Sequence, residues 1–229
     1  DRLVEFPLGI LGLALGTVIL PSLAKNHAAE DATAFSNSLD WGLRLGFLVG
    51  MPATIGLLLL AEPMLSTLFQ YNEFSVRDVH YAGMSLRAYS IGLLGYILIK
   101  ILVPGFTSRQ DMKIPVRYGM YAMIVSLVLN VALVFPLAHA GLALATSLGA
   151  FFNAALLLNK LRQENVYQPG SGWRLFFIRV LLAGAAMSAA LYYWVDASWW
   201  NQWGSGERII NLLKWIVIGI VIYTATLVL

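Results

Sequence analysis

The sequence predicts an all-α integral membrane protein with seven transmembrane helices. Of its 229 residues, 59% are hydrophobic and 12% charged, with a mean hydropathy of +0.73. A soluble domain carries about 25% charged residues. The apolar runs reach roughly 20 residues, the length a helix needs to cross the hydrocarbon core of a bilayer. They do not alternate as the strands of an outer-membrane barrel do, so backbone satisfaction in lipid requires helices.

The first span, 3–24, opens on a charge pair. Arg2 and Glu5 are three residues apart and share a helix face. Gly9, Gly12 and Gly16 follow at i, i+3 and i+7, a stripe on which another backbone can come close. No charge recurs before Lys25. An arginine costs about 2.5–3.5 kcal/mol at the bilayer centre on insertion scales, so Arg2 needs water, a partner or a ligand. After it, Phe35, Leu39 and Leu43 recur at helical spacing among Glu30, Asp31, Asn37 and Asp40. This pattern predicts a short amphipathic helix on the membrane surface over about 28–41, with a plain solvated loop as the alternative.

The second span, 42–61, stops at Glu62-Pro63, and an aromatic, interfacial stretch follows to residue 80. The third, 81–103, holds Arg87 near its start and Lys100 near its end, each expected to snorkel to its own surface. A polar turn, PGFTSRQDMKIP, leads into the fourth span, 114–137. Only Ala138 and His139 separate it from the fifth, 140–159, which predicts a tight antiparallel pair. Asn130 and Asn153 lie within these two spans, as helix-packing or cavity polar groups; the ordinary role for each is an interhelix hydrogen bond. The Gly/Pro-rich link QENVYQPGSGWR precedes the last two spans, 175–195 and 208–229. It divides the chain into five helices, 1–162, and a linker with a terminal pair, 163–229.

Charge fixes the orientation. Arg109, Lys113 and Arg117 crowd one connection, and Lys160, Arg162, Arg174 and Arg179 another. With alternating spans both lie on one side, which the positive-inside rule makes cytoplasmic. The stretch DASWWNQWGSGE, with three tryptophans and no basic residue, suits the outer interface. The first span therefore runs inward and Arg2 begins near the outer half of the membrane. The chain starts without methionine, which leads to the expectation of a piece of a longer protein.

Several chemistries lack their residues. There is no cysteine, hence no disulfide or thiolate chemistry. His27, His80 and His139 fall in three separate connections with no ligand spacing, which speaks against a metal site. Neither a phosphate-cradling G-x-x-x-x-G-K-[ST] loop nor a G-x-S-x-G elbow occurs. Paired carboxylates within the apolar spans, which a membrane enzyme would use, are missing. The positive charge, +3, reads as cytoplasmic loop bias and not as nucleic-acid binding. What remains suits holding or moving an anionic substrate, with no cofactor.

Three stretches in order carry a resemblance: DRLVEFPLGILGLALGTVILPSLAK, VPGFTSRQDMKIPV and LNVALVFPLAHAGLALATSLGAFFNAALLL. They closely resemble the MurJ/MviN family of bacterial lipid II flippases, from residue 1 to 195 and more weakly to the end. The resemblance implies a fourteen-helix, two-lobe exporter fold of the multidrug/oligosaccharidyl-lipid/polysaccharide superfamily. This chain would supply five helices of the second lobe and the terminal pair, the N-terminal half being absent. The implied function is transfer of lipid II, a polyprenyl-pyrophosphate-linked cell-wall precursor, across the inner membrane by alternating access, without enzymatic chemistry. Arg2 matches a cavity arginine needed for function, and Glu5 the acid one turn on. The terminal pair matches helices that form a groove for the lipid tail. Some members carry a sodium site built on an acid in the helix matching the fourth span. Here LNVALVF offers Asn130 and no acid, which argues against that site. Rival readings are export of another lipid-linked oligosaccharide or a drug on the same fold, and a non-transporting cell-wall scaffold.

Overall fold

A computed structural model describes residues 2–70 and 75–228, and every regular element among them is helical. In order these are α1 (Arg2–Ala28), α2 (Ala32–Leu59), α3 (Ala61–Phe69), α4 (Val76–Leu102), α5 (Pro104–Thr107), α6 (Lys113–Gln163), α7 (Trp173–Trp194) and α8 (Ser205–Val228). A 3-10 turn, Ala197–Asn201, joins α7 to α8. The helices α2, α4, α6, α7 and α8 are each long and apolar enough to span a membrane. At 51 residues α6 is twice too long for one crossing, since a straight helix of that length would reach about 75 Å. It is broken at Ala138, whose φ of 47° and ψ of −125° lie outside helical space. Beyond that residue the chain returns along itself. A side chain on Gly141 would meet the Leu133 carbonyl, and one on Gly149 would meet Ser126. These facing pairs define an antiparallel hairpin, so α6 is the fourth and fifth spans with their predicted two-residue turn.

The amphipathic surface helix expected over 28–41 is not a separate element. Asp31 caps α2 by accepting the Ala34 N–H at 2.8 Å, and the helix then runs 28 residues to Leu59 without a break. The stripe of Phe35, Leu39 and Leu43 is real, but all three are buried in the main core instead of lying on lipid. They pack with Ile19 and Leu23 of α1, Ile97 and Ile101 of α4, and Leu157 and Leu161 of α6. A surface helix and the first turns of a buried one share one apolar period, so only neighbours distinguish them.

The glycine stripe of α1 is a second correction. Among the described residues nothing lies within 4 Å of a side chain placed at Gly9 or Gly16, and only the Lys100 stem approaches Gly12. The helix makes its close contacts instead through buried Val4, Ile19 and Leu23. The tight backbone approach occurs between α4 and α6. A methyl group on Gly92 would stand 2.7 Å from the Ser147 Cα, and the Ser147 hydroxyl donates to the Ala88 carbonyl at 2.7 Å. A smaller core of Leu60, Ala183, Met187, Leu191, Leu212 and Tyr223 joins α7 and α8 to the end of α2.

Candidate functional site

The bundle has two chemically different ends. At the basic end, the Glu164 carboxylate accepts from Arg109 at 3.0 Å and sits 3.1 Å from the Lys160 ammonium. The two base-rich connections therefore meet, as alternating spans require. Burial raises the Glu164 pKa, but the bonds from Arg109 and Lys160 outweigh it and hold the carboxyl below its usual range.

Beside it, Asp40 is almost fully buried and clips down the link between α6 and α7. Its Oδ1 accepts the Tyr167 hydroxyl at 2.8 Å, the Trp173 indole N–H at 2.7 Å and the Gly170 N–H at 3.1 Å. Its Oδ2 accepts Arg44 Nε at 2.8 Å, and Arg44 also donates to the Ser171 carbonyl. The Arg44 guanidinium lies 5.1 Å from the Trp173 ring centre. Burial, together with the bond to Asp40, pushes the Tyr167 phenol above its ordinary pKa. Sequence reading placed Asp40 only among the polar residues of the expected surface helix. Its one local signal is Arg44 four residues on, the spacing of a helical ion pair.

The opposite end carries the tryptophans. Trp200 is fully buried and donates its indole N–H to Thr67 at 3.1 Å. Arg208 reaches the carbonyls of Ser66 at 3.1 Å and Trp203 at 3.0 Å, tying α8 to α3. Glu62 lies 3.2 Å from both Arg87 and His80. Arg87 therefore meets a carboxylate partner, where snorkelling alone was expected of it.

Arg2 opens α1, but its side chain lies outside the described residues. Glu5 is exposed on the first turn of the same helix. The next two residues, Phe6 and Pro7, form the upper lip of an apolar groove of about 540 Å³. Its walls are Pro52 and Gly56 of α2, Met187 of α7, and Ile220 and Tyr223 of α8. The one interhelix hydrogen bond there among the described residues is from Tyr223 to the Leu48 carbonyl, 3.0 Å. The groove thus leads from the terminal helix pair to the residues beside the Arg2–Glu5 turn. Asn130 and Asn153 each leave a buried side-chain oxygen without a hydrogen-bond partner among the described residues. Neither makes the interhelix bond expected of it. The α6 hairpin closes through Gly141 against Leu133 and Gly149 against Ser126.

A family model described as lipid II flippase MurJ matches residues 1–214. The probable lipid II flippase MurJ of Vibrio cholerae is 45% identical over 230 residues, spanning all of this chain and 44% of that protein. Its namesake in Haemophilus influenzae is 44% identical over 238 residues, spanning 46% of that protein. The lipid II flippase MurJ of Burkholderia cenocepacia is 44% identical over 85% of this chain and 37% of its own length. A solved lipid II flippase MurJ in an inward closed conformation shares the fold, with a TM-score of 0.79 over 97% of this chain at 20% identity. The chain spans less than half the length of these relatives.

Proposed function

We propose that this chain, which belongs to the lipid II flippase MurJ family, supplies five helices of the second lobe and the tail-binding helix pair of a flippase. The full protein would carry a lipid-linked cell-wall precursor from the cytoplasmic to the periplasmic leaflet of the inner membrane. A pyrophosphate-bearing head cannot cross roughly 30 Å of hydrocarbon unaided, because each charge costs kilocalories there. The protein therefore offers a wet, cationic path for the head and leaves the tail in oil. Residues 1–162 belong to the lobe, and 163–229 hold the linker and the pair that borders the tail path.

The observation that carries this reading is the apolar groove ending at Phe6 and Pro7, next to Glu5 and one turn from Arg2. An amphiphile with its tail along Met187, Ile220 and Tyr223 would present its phosphates to the mouth of α1. There a guanidinium fork can hold phosphate oxygens bidentately, and Glu5 orients it. Asn130 and Asn153, with their unsatisfied oxygens, are the other polar groups offered to the path or to helix packing. Opening and closing of the lobe against its N-terminal counterpart would expose the path to each side in turn. No covalent step and no cofactor enter.

Complementation of a flippase-depleted strain by the full-length protein tests the reading. Arg2→Ala is expected to abolish growth, and Arg2→Lys to restore it only in part, since an ammonium lacks the planar fork. Normal growth of Arg2→Ala would remove the head-group role.

A further inference from the structure

A second apolar opening lies at the basic end, and it shares no lining residue with the groove described above. This furrow of about 410 Å³ runs between α2 and α7 on one side and α4 and α6 on the other. Its volume falls within the roughly 300–1,000 Å³ of ordinary small-molecule sites. Leu43, Leu98 and Ala154 line its floor. One wall is three interlocked rings: Phe47 lies 5.0 Å from Phe177 and 6.0 Å from Trp173, and those two are 5.1 Å apart. The mouth is built, because Tyr167 and Trp173, which frame it, are both fastened to Asp40.

The charge at that mouth identifies the occupant. Arg162 lines the opening, is exposed, and has no ion-pair partner among the described residues. Its neighbours differ, for Lys160 and Arg109 are both spent on Glu164. Arg174, directly after Trp173, is also exposed. An apolar slot with a spare guanidinium at its rim, on the end that faces the anionic leaflet, matches a lipid whose phosphate carries net negative charge. A zwitterionic lipid would fill the slot equally well but gain little from the arginine.

We propose that this furrow is a binding site for an anionic glycerophospholipid of the cytoplasmic leaflet, with one acyl chain against Phe47, Phe151 and Phe177 and the phosphate on Arg162. The site is independent of the precursor path and needs only that the basic end face the cytoplasm. Its occupant would brace α7 against α4 and α6, which otherwise meet here across open space.

The test uses full-length protein in phosphatidylcholine nanodiscs doped with a phosphatidylglycerol probe carrying an acyl-chain diazirine. Photolabelling is expected on the peptides holding Phe151, Leu158 and Phe177, with competition by unlabelled phosphatidylglycerol and not by phosphatidylcholine. Arg162→Gln should lower labelling about fivefold, the worth of one arginine at an anionic surface. Ala155→Trp, which fills the furrow from an exposed wall position, should remove it with the thermal midpoint unchanged. Arg2→Ala should label normally, which separates this site from the flipping mechanism. Equal labelling by a phosphatidylcholine probe, no effect of Arg162→Gln, or no label in the furrow would each overturn the proposal.

Discussion

Asp40 and Glu62 are carboxylates at opposite ends of the bundle, and they are held in opposite ways. Asp40 spreads four donors over both oxygens, three of them from the α6–α7 link and all at 2.7–3.1 Å. Glu62 directs one oxygen, Oε1, at the Arg87 guanidinium and the His80 ring, each 3.2 Å away. Its His80 partner is 59% exposed and charged only when protonated. The difference separates a latch from a shared contact. Neutral phenol, indole and backbone donors fix one geometry, and the pair with Arg44 adds charge to it. Two partners on one oxygen compete and can exchange. The basic end is therefore the rigid anchor for the terminal pair, and the tryptophan-rich end has the looser electrostatics.

The largest expected effect breaks the latch. Asp40→Ala would strand the buried Tyr167 hydroxyl and the half-buried Trp173 indole and leave Arg44 without its carboxylate. Leaving a buried donor without its acceptor costs about 1–3 kcal/mol, and the Tyr167 hydroxyl is such a donor. Thermal unfolding of the full-length protein in detergent should show a clear fall in midpoint, with fast proteolysis between 163 and 173. Asp40→Asn should fall less, because its amide oxygen still accepts from the link. If Asp40→Ala unfolds like the parent, the link is not anchored there and the contrast with Glu62 disappears.

Much of this architecture was readable in advance, for a physical reason. Bilayer thickness sets helix length, so the apolar runs marked out the five long apolar helices, with α6 folded into two of the expected spans. The same constraint made Ala138–His139 a turn, and alternation brought Arg109 and Glu164 to one side. The latch left no such trace. Tyr167, Gly170 and Trp173 lie 127 to 133 residues from Asp40, beyond any local period. By composition QENVYQPGSGWR is a loose, polar break, whereas three of its residues are hydrogen-bonded to that one carboxylate. Spacing misled in α1 as well. Gly9, Gly12 and Gly16 form a regular stripe, but periodicity says which residues share a face and not what that face meets. The role proposed for Arg2 came through resemblance, since its own position allows an anchor or a ligand equally.

The second prediction weakens the other end. Glu62→Gln removes the charge that Arg87 and His80 share, while the amide oxygen still accepts. These groups are partly exposed, so the loss should be about 1 kcal/mol or less. It should also shrink as salt rises, because screening already weakens such pairs. A loss as large as that of Asp40→Ala would mean that both ends are latched and the asymmetry is false.

The smallest effect decides what makes the basic end rigid, burial or number of charges. Glu164 lies at the same end as Asp40 and faces two cations, but its side chain is 25% exposed. If burial matters most, Glu164 contributes only about 0.5 kcal/mol, as a surface pair does. Its pKa is held below the usual 4.5 by Arg109 and Lys160 in the folded protein. The unfolded chain therefore takes up a proton first as pH falls, and protonation favours unfolding. The contribution is complete above about pH 4.5 and is lost progressively below it, as pH drops through the lower folded value. Other carboxylates titrate in that range, so the measurement is the difference between the parent and Glu164→Gln. The two stability curves should run parallel above pH 5, with the variant slightly lower, and converge as the pH falls further. Curves separated by several kilocalories at pH 7 would make charge number, and not burial, the source of rigidity at this end.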